Sequence, residues 1–397
     1  MEWKKHIVED RGFTVTSLIA FLLLLVGFFT TVWFVFLIAV LYFVLFYANN
    51  LYLKNVGEGL KLNNKKIINR YFIGERGEWQ LIFENSGLPI MRGEVRIVFD
   101  DCLAPIKGDV DNVLANYELT MPFSINRGNK REIQIPYEAK KRGVSKIRKI
   151  EITLPHFFGF GETILEYKHF VKQEVLVYPK TIPIKNIQHF LSKQNGESVV
   201  NHSLFEDLLA PSGTRDYLFS DSFNRIHWKA SARKQTLQTK VYNRLAERGY
   251  HLSLNISDGY SITSQLEPLL SSAAELAYFS IKNDIPFSLS INMRVAGSTP
   301  FYYIPQGTGN KHLQKVLETL AVIGQHSYIY PYDKMLSFYN RHLSVQPYFI
   351  HGGVKSGSFT DQIIPIRKKG TSLLQIELFD QYANLQPLHI KASEGVS

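Results

Sequence analysis

The chain has 397 residues, with 45 Lys or Arg against 35 Asp or Glu and a formal net charge of +10. A hydrophobic share of 45% with 20% charged residues excludes a globally disordered chain, and the length suits two or three domains. The single cysteine, Cys102, excludes an internal disulfide and a cysteine-based zinc cluster, and it suits a reducing compartment. Because the positive charge is spread without a long Lys/Arg run, it points to an anionic membrane surface and not to nucleic acid.

From Gly12 to Leu53 the chain carries no Asp, Glu, Lys, Arg or His. One helix of that length would measure about 60 Å, twice the hydrocarbon thickness of a bilayer. The run therefore predicts two membrane-spanning helices, Thr14–Phe29 and Val32–Asn49, joined by a tight turn near Gly27–Thr31. Phe13, Trp33, Tyr42 and Tyr47 supply aromatics for the interfaces. Lys4, Lys5 and Arg11 precede the pair, and Lys54, Lys61, Lys65 and Lys66 follow it. Basic flanks on both sides place both termini and the soluble part in the cytoplasm, on the inner face of the cell membrane.

From Arg70 to Pro183 the pattern changes to short alternating runs. Strands are expected at Trp79–Phe83, Glu94–Val98, Tyr117–Met121, Glu132–Pro136, Lys149–Leu154, Thr163–Glu166 and Glu174–Tyr178, with turns at Asn85-Ser86-Gly87, Asn126–Asn129 and Arg142-Gly143. That spacing predicts an antiparallel β-sandwich. A polar linker, 184–208, follows. The last third alternates strands (His251–Ile256, Phe287–Met293, Phe301–Ile304, Tyr348–Ile350, Leu373–Leu378) with helices (Gln265–Lys282, Lys311–Ile323), which predicts an open, mostly parallel α/β sheet. The expected organisation is a helical hairpin over 1–55, a β-sandwich over 56–190 and an α/β domain over 191–397.

One stretch stands apart, residues 209–241 (LAPSGTRDYLFSDSFNRIHWKASARKQTLQTKV). It packs Arg215, Asp216, Tyr217, Asp221, Arg225, His227, Trp228, Lys229, Ser231 and Arg233 into a short span. Paired charges at this density satisfy one another and hold a loop in a defined shape, with Trp228 expected as its anchor in the core. Set against this is a merely solvated basic hairpin. The Asp221, His227 and Ser231 combination invites a hydrolase reading, but no nucleophile-elbow sequence surrounds the serine. Tyr217, Phe219, Phe223 and Trp228 among basic residues invite base stacking, yet Asp216 and Asp221 neutralise that charge locally.

After the first strand of the α/β region comes Asn255-Ile256-Ser257-Asp258-Gly259-Tyr260-Ser261, in the usual ligand position of such sheets. The oxygens of Asn255, Ser257 and Asp258 could hold Mg²⁺, or cap the next helix and form a turn at Asp258-Gly259. No phosphate-binding glycine loop occurs, and Gly307-Thr308-Gly309 reads as a turn.

With Arg215-Asp216-Tyr217, Asp221, Arg225-Ile226-His227-Trp228-Lys229, Ser231-Ala232-Arg233 and Leu237 in view, the chain resembles the domain of unknown function 58 family. Arg142-Gly143, Pro155–Phe160 and Val177-Tyr178-Pro179 are similar to that family's layout as well. The resemblance implies a C-terminal domain of the von Willebrand factor type A kind. It also implies association with MoxR-type AAA+ ATPases, often beside a membrane-bound transglutaminase-like protein. Two positions depart from the pattern. Ser220-Asp221 stands where the family has Gly-Asp, and Asn255, Ser257 and Gly259 stand where type A domains carry D-x-S-x-S, which should lower divalent affinity. The expectation is a membrane-anchored, non-enzymatic adaptor for such an ATPase, without a cofactor and without a nucleic-acid partner. The rival is an enzyme acting on envelope precursors or lipids at the inner leaflet, with His227 and Asp221 as acid and base.

Overall fold

The structure, a computed structural model, describes residues 2–9, 11–29, 33–106, 109–113, 115–155, 161–191, 206–244, 249–324, 327–355 and 358–390. It divides into two compact units, Met1–Pro179 and Lys180–Ser397. Residues 156–160 of the Pro155–Phe160 segment and most of the 184–208 linker lie outside the described residues.

The first unit opens with strand β1 (Trp3–Glu9), then helices α1 (Arg11–Phe29) and α2 (Trp33–Asn55), then β2 (Leu60–Leu62), β3 (Ile67–Phe72), β4 (Arg76–Asn85), β5 (Ile90–Asp100) and β6 (Leu103–Pro105). It continues with β7 (Asp109–Val113), β8 (Asn116–Ile125), β9 (Lys130–Ala139), β10 (Gly143–Pro155), β11 (Gly161–Tyr167) and β12 (Gln173–Tyr178). One sheet runs β1-β11-β10-β5-β8-β7, with β12 and β3 joined through β10, and the other runs β2-β4-β9-β6. Period-two alternation sends Trp79, Leu81 and Phe83 of β4 and Val95, Ile97 and Phe99 of β5 into one shared core, so the two sheets form a sandwich. All seven strands expected here lie inside observed ones.

The expected separation of a helical segment 1–55 from the sandwich needs correction, because β1 is a sandwich strand. It pairs antiparallel with β11, Trp3 opposite Tyr167. Trp3 is buried, its indole N–H donates to the Leu60 carbonyl at 2.9 Å, and its ring stacks near Phe83. Lys5 Nζ donates to the carbonyls of Leu53 (3.1 Å) and Lys54 (2.5 Å), capping the last turn of α2 with a cation where the helix dipole favours one. Both ends of the helix pair are thus rooted in the same body.

Helices α1 and α2 pack together. A Cβ on Gly27 would lie 2.8 Å from Phe36 Cα, so only glycine admits this approach of the backbones. Within α2 the segment Phe36–Asn55 is long and apolar enough to cross a membrane. The helix runs on to Asn55, past the expected end at Asn49.

The second unit begins with β13 (Ile184–Lys185), α3 (Ile187–Leu191), β14 (Glu206–Asp216), α4 (Trp228–Lys234), β15 (Gln238–Arg244), β16 (Tyr250–Asn255), β17 (Ser257–Asp258) and β18 (Ser261–Ile262). Then come α5 (Leu266–Lys282), β19 (Phe287–Arg294), β20 (Phe301–Gly307), α6 (Gly309–Val322), α7 (Tyr332–His342), β21 (Tyr348–Gly353), α8 (Phe359–Lys368), β22 (Ser372–Leu378) and β23 (Ala383–Pro387). Seven strands form a sheet in the order β13-β23-β22-β21-β16-β19-β20. Its centre, β22-β21-β16-β19, is parallel, as the alternation of strands and helices requires.

If β1 belongs to the core, Trp3→Ala should cost about 3–5 kcal/mol, the usual range for deleting a buried Trp. The check is thermal unfolding of the detergent-solubilised full chain; an unchanged midpoint would detach β1 from the core.

Candidate functional site

The motif lies between β14 and β15, which form their own two-stranded sheet with Arg215 opposite Thr239 and Asp216 opposite Gln238. Its centre is a bidentate ion pair, Arg215 Nη1 and Nη2 to the two Asp221 oxygens at 2.7 and 2.6 Å. Asp221 also accepts from the Leu218 amide at 3.0 Å and the Thr239 hydroxyl at 3.0 Å, while its own amide donates to the Leu218 carbonyl at 2.8 Å. The residues 218–221 are thereby closed into a turn from two directions. The Tyr217 hydroxyl donates to the Asp221 carbonyl at 3.1 Å. Hydrogen bonds from Arg215, then from the Leu218 amide, hold the Asp221 carboxyl well below the usual carboxylate range.

The second half of the motif is tied down through backbone. Ile226, only 2% exposed, bridges to Thr239 and supplies the apolar anchor. His227 caps α4, its Nδ1 accepting from the Ala230 amide at 3.2 Å, which requires a neutral ring nitrogen there. The Ser231 hydroxyl donates to the His227 carbonyl at 3.0 Å and accepts from the Gln238 amide at 2.9 Å, stapling the helix to β15. Gln238, buried, donates through Nε2 to Asp216 at 2.5 Å. Gln235, in the left-handed region at φ 56°, closes the helix.

Trp228 departs from expectation. It is 60% exposed and packs edge-on against Phe223, with ring centroids 5.7 Å apart. The anchoring role falls to Ile226, because Trp228 opens a helix whose buried side is taken by Ser231. Lys229 and Arg233 are exposed and Arg225 is half-buried. Leu218, Phe219 and Phe223 are exposed as well, Phe219 at 104%. Arg215, Asp216, Tyr217, Asp221, His227 and Ser231 therefore build the loop, and Trp228, Lys229 and Arg233 face outward from it.

A second feature lies at the C-terminal ends of β16 and β21. From β16 the chain passes through α5 to β19 on one side, and β21 lies on the other. This is a topological switch point, where a crevice opens. Its volume is about 740 Å³, and Asn255, Ser257, Asp258, Tyr332, Asp333 and Lys355 contribute to its lining. Asn255 Oδ1 accepts from the Ser257 amide (3.1 Å), the Ser257 hydroxyl (2.6 Å) and Asn292 Nδ2 (2.7 Å). Asn292 Oδ1 in turn accepts from the Ile256 amide at 2.7 Å, and Asn255 Nδ2 donates to the Val354 carbonyl at 2.6 Å. The oxygens that could meet Mg²⁺ are thus already filled by N–H and O–H donors, and Asp258 sits exposed on the β17–β18 turn. This donor set does not fit a divalent cation.

Beneath the crevice runs a polar chain that the sequence reading missed. His251 bridges the Ser288 and Ser290 hydroxyls, both at 2.8 Å. Ser290 reaches Ser253 at 3.3 Å, Ser253 reaches the Tyr332 hydroxyl at 2.9 Å, and that hydroxyl meets His351 Nδ1 at 2.7 Å. His251 stacks on Tyr339 with centroids 4.1 Å apart. Burial pushes both histidines down to about 3, Lys355 adding to the effect at His351. The only sequence signal was the alternation of Leu and Ile with His and Ser in HLSLN and SLSIN.

Residues 213–337 match the model of a family described as "Protein of unknown function DUF58", the family that the motif resembles. No curated protein matches the chain. Among solved structures, the CARDB domain of a Pyrococcus furiosus protein is similar at 10% identity over 30% of this chain and 94% of that one, with a TM-score of 0.18. A non-cellulosomal cohesin of Archaeoglobus fulgidus is similar at 10% identity over 30% and 91%, with a TM-score of 0.19. An R. flavefaciens cohesin is similar at 9% identity over 31% and 96%, with a TM-score of 0.19.

Two outcomes are expected. Asp221→Asn should speed amide hydrogen exchange across residues 214–222 and 236–240 while leaving β16 and β19 unaffected. Equal exchange in variant and parent would mean that the ion pair does not hold the loop. For the buried histidines, the folded pKa near 3 lies below the unfolded value of about 6.5, so the unfolded state binds more protons below that value. Stability should be full above about pH 6.5 and fall with acidification by up to about 1.4 kcal/mol per pH unit for each histidine. Unfolding midpoints between pH 7.5 and 5 read this slope, which the double variant His251→Gln, His351→Gln should flatten.

Proposed function

We propose that the chain is a membrane-anchored, non-enzymatic adaptor or assembly factor whose motif loop engages a protein partner at the cytoplasmic face of the cell membrane. The observation that carries this reading is the division of labour in the motif. Arg215, Asp216, Asp221, Ser231 and the His227 cap are consumed in holding the loop's own side chains and backbone together. Trp228, Lys229 and Arg233 are exposed on the frame they make. Trp and Arg are the residues that most often dominate protein interfaces.

The anchor reading rests on α2, with Phe36–Asn55 apolar enough to cross a bilayer, and on the apolar character of α1 packed against it. Because β1 precedes the pair and β2 follows it in the same sandwich, a crossing by both helices would return the chain to the side on which it began. Lys4, Lys5 and Arg11 before the pair and Lys54 after it make that side cytoplasmic. The parallel sheet with a crevice at its switch point suits a von Willebrand factor type A-like domain, here with an amide network in place of a metal site. The partner we infer is a MoxR-type AAA+ ATPase, whose nucleotide cycle would act on this protein or on a client it holds.

Acid/base chemistry by Asp221 and His227 is the poorer reading. The carboxylate of Asp221 is taken by Arg215, Leu218 and Thr239, and Nδ1 of His227 by the helix cap. A general base needs a free lone pair facing substrate.

Arg225→Ala with Lys229→Ala should abolish nucleotide-dependent co-purification of the ATPase from native membranes and leave the unfolding midpoint of the adaptor in place. Undiminished co-purification would remove the loop from the contact.

A further inference from the structure

The geometry points to Phe219 as a preformed anchor that enters an apolar pocket rimmed by carboxylates on the partner protein. This deepens the adaptor reading and rests on it in taking the loop as a docking face. Phe219 occupies the tip of the 218–221 turn, which is closed by the Asp221 amide to the Leu218 carbonyl at 2.8 Å and by the Leu218 amide to Asp221 Oδ2 at 3.0 Å. Within that turn its ring is 104% exposed, beside a turn held by the Arg215 guanidinium. An aromatic side chain so displayed has no role in the core of its own domain. Its backbone is ordered before binding, so association forfeits little conformational freedom.

The surroundings specify the pocket. Leu218, Phe223 and Trp228 are exposed nearby in sequence, and the Phe223–Trp228 pair is already packed edge-on. Lys229, Arg233 and Lys234 are exposed on α4, and Asp221, the carboxylate within the turn, is neutralised by Arg215. An apolar centre with a cationic margin is complementary to an apolar pocket with an anionic rim. A bilayer also offers an apolar interior under an anionic surface. A fluid surface, however, places no demand on the shape of what enters it, whereas this turn is fixed by an ion pair and four further hydrogen bonds to Asp221 and its backbone. A fixed knob suits a fixed pocket.

The test places p-benzoylphenylalanine at position 219 of the full chain in its native membrane, with position 260 as control, because Tyr260 is equally exposed on the same unit. Residue 219 is outside every core contact, so the replacement leaves folding alone. After irradiation, mass spectrometry should find position 219 joined to one protein segment with apolar residues flanked by Asp or Glu. Adding Lys229→Glu and Arg233→Glu should lower the yield at least fivefold. Adducts to lipid alone, a yield no higher than at position 260, a segment without acidic flanks, or indifference to the charge reversal would each overturn the inference. Whether the segment belongs to an AAA+ ATPase decides the partner's identity separately: an acid-flanked pocket on another protein would sustain the anchor and sink the ATPase.

Discussion

The motif depends on one interaction, the ion pair of Arg215 and Asp221. Two long-range problems meet at that carboxylate. The strands β14 and β15 must be paired across a loop of some twenty residues, and a loop of that length is entropically costly to keep in one shape. Asp221 answers both by joining Arg215 on one strand, Thr239 on the other, and the Leu218 amide within the loop. A single residue so becomes the node of the frame. An exposed pair of this kind contributes little as an isolated contact, but here it acts with backbone acceptors and donors around it, and geometry is what it supplies.

The α/β unit shows a different use of polar groups. One face of β16, β19 and β21 is apolar through Leu252, Leu254, Leu289, Ile291 and Ile350, and α5 helps to cover this sheet with Leu269, Ala273 and Ala277. The alternate positions carry His251, Ser253, Ser288, Ser290 and His351, and they meet Tyr332 and Tyr339 of α7. All but one of the hydroxyls and ring nitrogens in that chain satisfy a neighbour, so the unit accepts buried polarity without burying charge. His351 Nε2 is the end of the chain and has no partner among the described residues. Such a network fixes how α7 sits on the sheet more sharply than apolar packing would, since a shifted helix breaks hydrogen bonds where a shifted leucine only repacks.

Much of the fold was legible in sequence because period is a strong signal. Every strand expected in the sandwich lies within an observed one, those of the α/β region do so too except that His251–Ile256 overruns β16 by one residue, and α1 contains the expected Thr14–Phe29. What escaped had physical reasons. Trp-Lys-Lys-His-Ile-Val-Glu reads as a basic flank, since its burial is concentrated in Trp3 and depends on the distant partners Leu60 and Phe83. Helices α7 and α8 carry a weak sequence signal because Tyr332, Tyr339 and the internal Pro365 dilute an otherwise helical spacing. The candidate site divided in the same way. That its charges pair was readable from their density, but which of them pair was not, and Trp228 was placed in the core although Ile226 beside it occupies that role.

A dense motif invites the assumption that its largest apolar residue is its foundation. Here the foundation beside Ile226 is made of small and polar groups: the Ser231 staple and the His227 cap each satisfy a backbone N–H that would otherwise be orphaned, and the Gln238 side chain holds Asp216. Because hydrogen bonding alone accounts for those positions, folding explains their presence and needs no partner. It gives no such account of Trp228 or Phe219, whose exposure costs hydrophobic stabilisation that burial would have supplied. Residues that a fold displays at a cost to itself, on a frame it goes to lengths to make rigid, are where a function has to be sought.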